Sequence, residues 1–293
     1  MDSQNLLAFI QVADCASFSL AAEKLHLTQP AVSKRITALE DHLKLKLFDR
    51  IGRKVNLTEA GRVLLPNAQK ILRELQETRR RLADLSGQVR GTLQLATSHH
   101  IGLHRLPPVL KQFSQLYPEV DLQLSFLDSE TAHDRVLHGL LDLAVITLSP
   151  DSHPALKSQT IWEDELCFVA SPTHPLAGKK RPRLAQLAEY PAVLPELSTY
   201  TGRIVAEIFS REDIALPLKL TTNYLETLKM LVSIDLGWSV LPRSMVDEQL
   251  VALSPQGASL KRQLGLVYHR ERNLGNAAHA FIGLLSPKPS TNF

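Results

Sequence analysis

Two short amphipathic segments separated by a four-residue turn constrain the fold of this chain more than any other feature. Ser17 can cap a first helix over Phe18–Leu25, because its side-chain oxygen can accept a hydrogen bond from a free backbone N–H. After the turn, Pro30 suits the first position of a second helix, where its missing N–H costs little. This second helix extends to about Leu43, with apolar residues three and four positions apart. The pattern predicts a helix-turn-helix unit.

A helix before this unit and a cationic segment after it complete a small N-terminal domain. Residues 4–14 place four apolar side chains on one helical stripe. In residues 45–57, apolar and polar residues alternate only poorly, and the segment contains a glycine and several cations. These features are typical of a two-stranded wing. We therefore predict a winged helix-turn-helix domain over residues 1–58. Its two central helices contribute these predicted core residues: Phe18, Ala21, Ala22, Val32, Ile36 and Leu39.

The following segment predicts one long helix. Thr58 is its expected N-cap, and apolar residues recur along one side from Val63 to about Leu85. Pro66 predicts a kink, because proline removes a backbone hydrogen bond inside a helix. A helix of this length needs a partner to bury its apolar seam, and a second copy of the chain is the simplest partner. We predict that residues 59–87 form a linker helix that mediates dimerisation.

From Thr92 onward, short β-rich runs alternate with helical segments, as in α/β folds. About 200 residues of this pattern fit two Rossmann-like lobes better than one sheet. Residues 88–293 therefore form the predicted second domain. Its predicted strands are Leu93–Ala96, Val120–Leu127, Leu143–Thr147, Glu165–Ala170, Ala192–Leu194, Leu218–Thr222, Gly237–Leu241 and Leu264–His269.

Charge and cysteine usage narrow the class of protein. Residues 1–90 contain 15 Lys and Arg against 10 Asp and Glu, whereas the remainder is slightly acidic, so a polyanion-binding surface is expected in the first third. Cys15 and Cys167 make no disulfide framework, which favours a reducing cytoplasm. No apolar run is long enough to cross a bilayer, and the N-terminus has no basic region typical of a secretory signal. We expect a cytoplasmic protein with no membrane partner.

The stretch from Ser17 to Ile36 closely resembles the signature of LysR-type transcriptional regulators. The resemblance continues through Leu39-Glu40, Leu47–Arg50 and Leu57–Gly61, and more loosely at Gly237–Pro242. It implies a sequence-specific DNA-binding regulator whose activity a small-molecule effector switches. It also implies homodimers that pair into homotetramers, bending of the operator DNA and contact with RNA polymerase.

The start of the second helix is the expected reader of the DNA sequence. Polar side chains there can enter the major groove, where Gln29 can pair with adenine and Pro30 can touch a thymine methyl group. The wing cations are expected on phosphate or in the flanking minor groove. The alternatives are helix capping for Gln29 and Ser33, and simple solvent exposure for each cation. The predicted DNA-binding residues are Ser17, Thr28, Gln29, Pro30, Ser33, Lys34, Arg35, Arg50, Arg53 and Lys54.

For the second domain, the resemblance implies a two-lobed effector-binding fold like that of periplasmic binding proteins. Lobe I would comprise residues 92–161 and 266–293, and lobe II residues 162–265. The effector would lie between the lobes, beside helix N-termini whose free N–H groups favour an anion such as a small carboxylate. Candidate effector-binding residues are Thr97, Ser98, His99, His100, Asp128, Thr147, Ser198, Thr201 and Asn223, of which Ser98, Thr147 and Thr201 are the preferred three. The alternatives are N-cap roles for the hydroxyls and surface positions for the two histidines.

Three other classes fit the sequence less well. An enzyme is disfavoured, because no His-Glu-x-x-His, Gly-x-Ser-x-Gly, phosphate-binding or dinucleotide-binding motif is present, and we expect neither a catalytic residue, a metal nor a cofactor. A secreted solute-binding protein would need a signal peptide and would not carry the segment Ser17–Ile36. An architectural DNA binder without a ligand would not need the large α/β domain.

Overall fold

The computed structural model describes residues 2–51, 54–84, 87–179, 181–255 and 260–285, and only the backbone for residues 50, 51, 54, 73, 76, 77, 79–81, 83 and 84. The chain divides into two compact units, residues 1–85 and residues 86–293. Among the described residues, none of the helices combines the length and the apolarity that crossing a membrane requires.

The N-terminal unit consists of three short helices, a hairpin and a long helix. These are α1 (Ser3–Cys15), α2 (Phe18–Lys24), α3 (Gln29–Leu43), β1 (Phe48–Ile51), β2 (Lys54–Leu57) and α4 (Glu59–Asp84). Ser17 Oγ accepts a hydrogen bond from the Leu20 N–H at 3.3 Å, which makes it the cap of α2. Thr28 caps α3 in the same way, so α3 begins at Gln29 and Pro30 occupies its second position.

An aromatic cluster fixes the hairpin against the helices. The Phe48 ring in β1 lies 5.4 Å from that of Phe9 and 5.8 Å from that of Phe18, measured between centroids. Phe48 pairs with Leu57 across the antiparallel β1–β2 hairpin. The buried side of α3 consists of Val32, Ile36, Leu39 and Glu40, so its opposite side faces solvent.

The long helix α4 is capped by Thr58, whose Oγ1 accepts from the Gly61 N–H at 3.0 Å. Its Ala68 is fully buried in the core of the N-terminal unit. In contrast, Val63 and Leu82 remain 64% and 65% exposed, and Leu75 is also exposed. One side of α4 therefore belongs to the domain core, while apolar side chains remain uncovered within the chain.

The C-terminal unit alternates strands and helices. Its first half contains β3 (Gly91–Thr97), α5 (His99–His104), α6 (Pro107–Leu116), β4 (Val120–Phe126), α7 (Ser129–Leu137), β5 (Leu143–Thr147) and β6 (Leu156–Ala170). Its second half contains α8 (Leu184–Ala188), β7 (Ala192–Leu194), α9 (Tyr200–Arg211), β8 (Leu218–Thr221), α10 (Leu225–Ser233), β9 (Ser239–Pro242), β10 (Val251–Leu253), β11 (Leu260–His269) and α11 (Asn276–Leu285).

Two apolar cores define two lobes in this unit. In lobe I, Phe113 and Phe281 pack with side chains of β3 and β5. In lobe II, Phe168, Phe209 and Trp238 form the centre, with the last two rings stacked at 5.6 Å. The predicted fold class is confirmed: a winged helix-turn-helix, a long helix and a two-lobed α/β domain.

The lobes are joined by continuous strands, which differs from the expectation of separate sheets. A seven-stranded sheet has the order β10-β6-β11-β5-β3-β4, with β9 also paired to β6, and β7 and β8 form a small parallel sheet. Strands β6 and β11 run antiparallel through both lobes, and their register shifts between Leu264 and Gly265. A Cβ atom at Gly265 would lie 2.1 Å from the Gln159 carbonyl oxygen, so only glycine allows this close backbone approach.

The sequence prediction missed three further features. The predicted strand Glu165–Ala170 is only the second half of β6, whose first half is largely polar and lacks a clean alternation. Strand β10 has only three residues and was not predicted. The division of residues 99–116 into two helices, α5 and α6, with Pro107 starting the second, was also not predicted. His99 and His100 therefore lie inside a helix rather than before one.

Candidate functional site

The N-terminal end of α3 presents polar side chains to solvent. Thr28, Gln29 and Pro30 are all exposed. The Gln29 Nε2 donates to Ser33 Oγ at 3.2 Å, one helical turn further along. The exposed residue Lys34 follows. The buried side of α3 fixes this orientation, so the polar groups form a continuous solvent-facing edge that can approach a ligand.

Two of the predicted DNA-binding residues also have structural roles. Arg35 Nη1 donates to Gln4 Oε1 at 3.1 Å, which ties α3 to α1. Ser17 is half-buried, and its hydroxyl oxygen caps α2. In the wing, the backbone of Arg50 pairs with Val55 in the β1–β2 hairpin. The side chains of Arg50 and Lys54, and the whole of Arg53, lie outside the described residues.

A cavity of about 260 Å³ lies between the two lobes of the C-terminal unit. It is bordered by the carboxyl ends of β3, β4 and β5 and by the N-terminal ends of α7, α9 and α10, where the first backbone N–H groups have no partner within their own helix turns. Seven of the predicted effector-binding residues line it: Ser98, His99, His100, Asp128, Thr147, Thr201 and Asn223.

Thr97 and Ser198 do not line this cavity. Thr97 is fully buried in β3, and its hydroxyl donates to the Val145 carbonyl at 2.9 Å, a bond that joins neighbouring strands. Ser198 is exposed, and its hydroxyl donates to the Glu196 carboxylate at 3.4 Å. Strand alternation turns Thr97 away from the cavity, and Ser198 precedes the turn in which Thr199 becomes the cap of α9.

The three preferred hydroxyls occupy different environments. Ser98 stands at the N-cap position of α5 but makes no side-chain capping hydrogen bond, so its hydroxyl has no capping role. Thr147 ends β5, and its backbone N–H donates to Ser129 Oγ at 3.1 Å. Thr201, in the first turn of α9, accepts a hydrogen bond from Arg262 Nη1 at 3.0 Å.

Arg262 is a buried cation beneath the cavity that the sequence prediction missed. Its Nε and Nη2 lie 2.9 and 2.7 Å from Asp164 Oδ2. Burial lowers the pKa of Arg262, and the nearby Asp164 opposes that shift. An arginine side chain keeps its charge in proteins, so Arg262 remains a cation here. Because Arg262 donates to the Thr201 oxygen, the hydroxyl hydrogen of Thr201 is free to donate towards the cavity. No sequence signal marks this role, because Arg262 lies in the polar run Lys261-Arg262-Gln263, outside the predicted strand Leu264–His269.

A second missed residue is Glu130, in the first turn of α7. Its carboxylate accepts a hydrogen bond from the backbone N–H of Tyr200, the first residue of α9 in the opposite lobe. Burial raises the pKa of Glu130 above its usual value. From sequence, an acidic residue at this position has an ordinary explanation as a complement to the dipole of its own helix.

Three histidines of α5 surround one carboxylate of lobe II. Glu226 Oε1 lies 2.9 Å from His104 Nε2 and 3.6 Å from His100 Nδ1, while Glu226 Oε2 lies 3.4 Å from His99 Nδ1. Burial, assisted by the charge of Arg262, lowers the pKa of His100 to about 4. Partial burial acts to raise the pKa of Glu226, but the hydrogen bond with His104 and other nearby groups lower it overall.

Comparison with protein families decides the class of protein. The model described as the LysR substrate binding domain matches residues 86–288, and that of the bacterial regulatory helix-turn-helix protein, lysR family, matches residues 3–62. The chain belongs to the LysR family of transcription regulators. It therefore has a DNA-binding helix-turn-helix domain and an effector-binding domain, and it is a regulator rather than an enzyme. The family resemblance drawn from Ser17–Ile36 is confirmed.

Similar proteins match either nearly the whole chain or one part of it. The RuBisCO operon transcriptional regulator of Allochromatium vinosum is 33% identical over 285 residues, which are 95% of this chain and 93% of that protein. An uncharacterised regulator from the ibpB-leuC intergenic region of Azotobacter vinelandii is 67% identical over 108 residues, 37% of this chain and 75% of that protein. Full-length CbnR complexed with its target DNA has the same fold, with a TM-score of 0.67 and 21% identity over 97% of this chain and 99% of that one.

Proposed function

We propose that this LysR-family regulator reads a specific operator through the start of α3 and is switched by a small anionic effector in the interlobe cavity. The observation that carries the anionic assignment is the bond between Glu130 and the Tyr200 N–H. A carboxylate of the protein itself already occupies the N-terminal end of α9, where free N–H groups and the helix dipole favour negative charge. An effector carboxylate has the same chemistry and can replace Glu130 there.

The remaining cavity walls support a small ligand with hydrogen-bonding groups. The volume of about 260 Å³ is close to the lower end for small-molecule sites. Ser98, Thr147 and Thr201 supply hydroxyls, and Asn223, His99 and His100 supply further polar groups. The Arg262–Asp164 ion pair orients the hydroxyl of Thr201 and places a buried positive charge behind it.

For DNA, we propose that Gln29 pairs with an adenine edge in the major groove. In the free protein its amide N–H bonds Ser33, and its amide oxygen remains available to accept from adenine N6. Neighbouring bases or phosphates are contacted by Thr28, Pro30 and Ser33. Groups in the groove or on phosphates are contacted by Lys34 and Arg35. The hydroxyl of Ser17, at the start of α2, contacts the DNA backbone. Arg50, Arg53 and Lys54 bind phosphate or the flanking minor groove.

We further propose a homodimer formed through α4, with homotetramers built from two such dimers. The exposed Val63, Leu75 and Leu82 support this assignment, because pairing with the same helix of another copy would cover them. In this arrangement the domain of residues 1–58 binds DNA, and the helix of residues 59–87 links the two domains and pairs with its copy. The domain of residues 88–293 binds the effector in the cytoplasm. Two recognition helices then contact a broken palindrome, and the effector changes DNA bending or the contact with RNA polymerase.

Two measurements test these functions separately. Fluorescence anisotropy with the full chain should show tighter binding to operator duplex than to a scrambled duplex of equal length at moderate salt, and equal affinities would overturn the operator assignment. A thermal-shift screen of small carboxylates and inorganic anions should raise the unfolding temperature of the full chain. Neutral and cationic metabolites of similar size complete the screen, and stabilisation by these compounds alone, or by none of the anions, would overturn the anionic assignment.

A further inference from the structure

The cluster of His100, His104 and Glu226 lies where the two lobes meet. His100 and His104 are four residues apart in α5, so their side chains project from the same face of that helix. Glu226 is in the first turn of α10, in the opposite lobe. One ligand atom from each of the three residues lies within 4.8 Å of the others, and the two imidazole centroids are 4.7 Å apart.

The buried imidazole of His100 lacks the hydrogen bonds that a buried polar ring normally makes. Its side chain is 6% exposed, and neither ring nitrogen has a hydrogen-bond partner among the described residues. The buried Oε2 of Glu226 is likewise without a hydrogen-bond partner within that part of the chain. Buried polar atoms that make no hydrogen bond are costly, and a bound ion is one way to satisfy them.

From this geometry we infer that His100, His104 and Glu226 form a site for a divalent transition-metal ion that bridges the lobes. Two imidazoles and one carboxylate are a donor set that zinc, nickel and cobalt accept. Metal–ligand bonds of about 2.0–2.2 Å require ligand atoms roughly 3.3 Å apart in a tetrahedral site, close to the separations of 2.9 and 3.6 Å from Glu226 Oε1.

The surroundings leave room for a fourth ligand. His100, His104 and Glu226 line a second cavity, and His100 also lines the interlobe cavity. A metal held by three side chains therefore keeps an open position for water or for a donor atom of a small molecule. His99, 3.4 Å from Glu226 Oε2, can orient the carboxylate from behind.

Neighbouring positive charges do not exclude the ion, because each has an acidic partner. Arg262 is paired with Asp164, and Arg105 Nη2 lies 3.7 Å from the same carboxylate. Lys229 is paired with Asp247. The carboxylate of Glu226 therefore faces the two imidazoles with its own charge available for the metal.

Such a site would hold α5 against α10 and so stabilise one relative position of the lobes. The ion would act beside the proposed effector cavity, and either ligand would favour binding of the other if both prefer that position. The inference goes beyond the proposed function and does not depend on it, since metal binding needs neither DNA nor an anionic effector.

Zinc binding to the full chain, expressed without a histidine tag and stripped with EDTA, tests the site. After equilibrium dialysis against Zn²⁺, the wild type is expected to retain one ion per chain that H104Q and E226Q both lose. Competition with a chromophoric chelator should show more than about a 100-fold loss of zinc affinity in each variant, because loss of an outer-shell partner alone costs about 10–100-fold. H99Q, which changes such an outer partner, should bind zinc about 10–100-fold more weakly.

The matched control is H279Q, since His279 is exposed on α11, away from the cluster. It should bind zinc as the wild type does. His104 is 49% exposed, so metal-free H104Q is expected to unfold at the wild-type temperature, while added Zn²⁺ should raise the unfolding temperature of the wild type and of H279Q but not that of H104Q. A wild type that retains no zinc, or H104Q and E226Q that retain as much as H279Q, would overturn the site.

Discussion

The Glu130 carboxylate of α7 accepts a hydrogen bond from the Tyr200 backbone N–H at the start of α9, so this contact joins the two lobes across the interlobe cavity. This contact occupies the position that suits an anionic ligand. The protein therefore contains an internal competitor for its proposed effector, and the free energy of effector binding includes the loss of this bond.

Effector binding should depend on pH through Glu130. Burial raises the pKa of this carboxyl group, so the folded protein takes up a proton here more readily than an exposed carboxyl does. An anion placed beside Glu130 raises its pKa further and draws a proton in, so effector affinity should increase as the pH falls from 7 towards that pKa. E130Q, which keeps an acceptor for Tyr200 without the charge, should bind the effector on the order of tenfold more tightly at pH 7.

Isothermal titration calorimetry of wild type and E130Q between pH 5 and 8 would measure this linkage. D134N is a suitable control, because Asp134 is an exposed acidic residue of the same helix α7. Wild-type affinity that is independent of pH, or that rises with pH, would contradict the proposed role of Glu130.

Thr201 should transmit effector binding without affecting DNA binding in the absence of effector. T201V keeps the shape of the side chain but removes its hydroxyl group. The effector then loses a hydrogen-bond donor and Arg262 Nη1 loses its acceptor, so the effector response should be lost. The unfolding free energy should fall by about 1–3 kcal/mol, because the buried Arg262 Nη1 loses its partner. T201S retains the hydroxyl and serves as the control, and an intact response in T201V would place the effector elsewhere.

Gln29 should determine preference at one base pair of each half-site. Q29A is expected to lose about 1–3 kcal/mol of discrimination there and leave the other positions unchanged. Competition anisotropy with operator duplexes substituted one pair at a time would measure this. Q123A, which changes an exposed glutamine on β4, is the control, and unchanged selectivity in Q29A would mean that α3 does not read the sequence through this residue.

Arg53 should contribute affinity without specificity. R53A is expected to weaken binding to all duplexes alike and to reduce the slope of log affinity against log salt concentration by about 1, because one phosphate contact is lost. Affinities for operator and scrambled DNA from 50 to 200 mM salt would measure both effects. K219A, which removes an exposed cation of the C-terminal unit, should leave the slope unchanged. A larger loss on operator than on scrambled DNA would instead assign Arg53 to base recognition.

A charge within the exposed seam of α4 should separate the proposed dimer. Leu82 is 65% exposed within one chain, so L82E should leave the domain folded while placing carboxylates opposite each other in a helix pair. Sedimentation equilibrium is expected to show dissociation at concentrations where the wild type is a dimer or tetramer. L20E, at an exposed leucine of α2, is the control, and an unchanged mass for L82E would exclude this part of α4 from the interface.

Local sequence signals predicted local structure well. Ser17 was correctly predicted as the cap of α2, because a cap depends only on the following three residues. Thr28 was placed in the turn, whereas it is the cap of α3. The polar edge of α3 followed from the apolar spacing on its opposite side. Seven of the predicted effector residues line one cavity because strand ends and helix starts of an α/β fold meet at the same place.

Contacts between distant parts of the chain could not be predicted in the same way. Glu130 and Tyr200 are 70 residues apart, Thr201 and Arg262 are 61 apart, and His104 and Glu226 are 122 apart. Each pairing depends on how the lobes pack, and no local pattern marks it. The histidines of α5 lack a His-Glu-x-x-His pattern and were therefore not predicted to bind a metal, whereas their carboxylate neighbour Glu226 comes from α10 in the other lobe.

The two long strands β6 and β11 have a consequence for the integrity of the sensor domain. Strands β6 and β11 each contribute one part to lobe I and the other part to lobe II. A chain cut between residues 161 and 162 would therefore divide strand β6 instead of a linker. We therefore expect that neither lobe folds when it is expressed alone. Unfolding of one lobe would remove strand pairing from the other lobe, so the two should unfold together. A ligand bound between the lobes should therefore stabilise both of them.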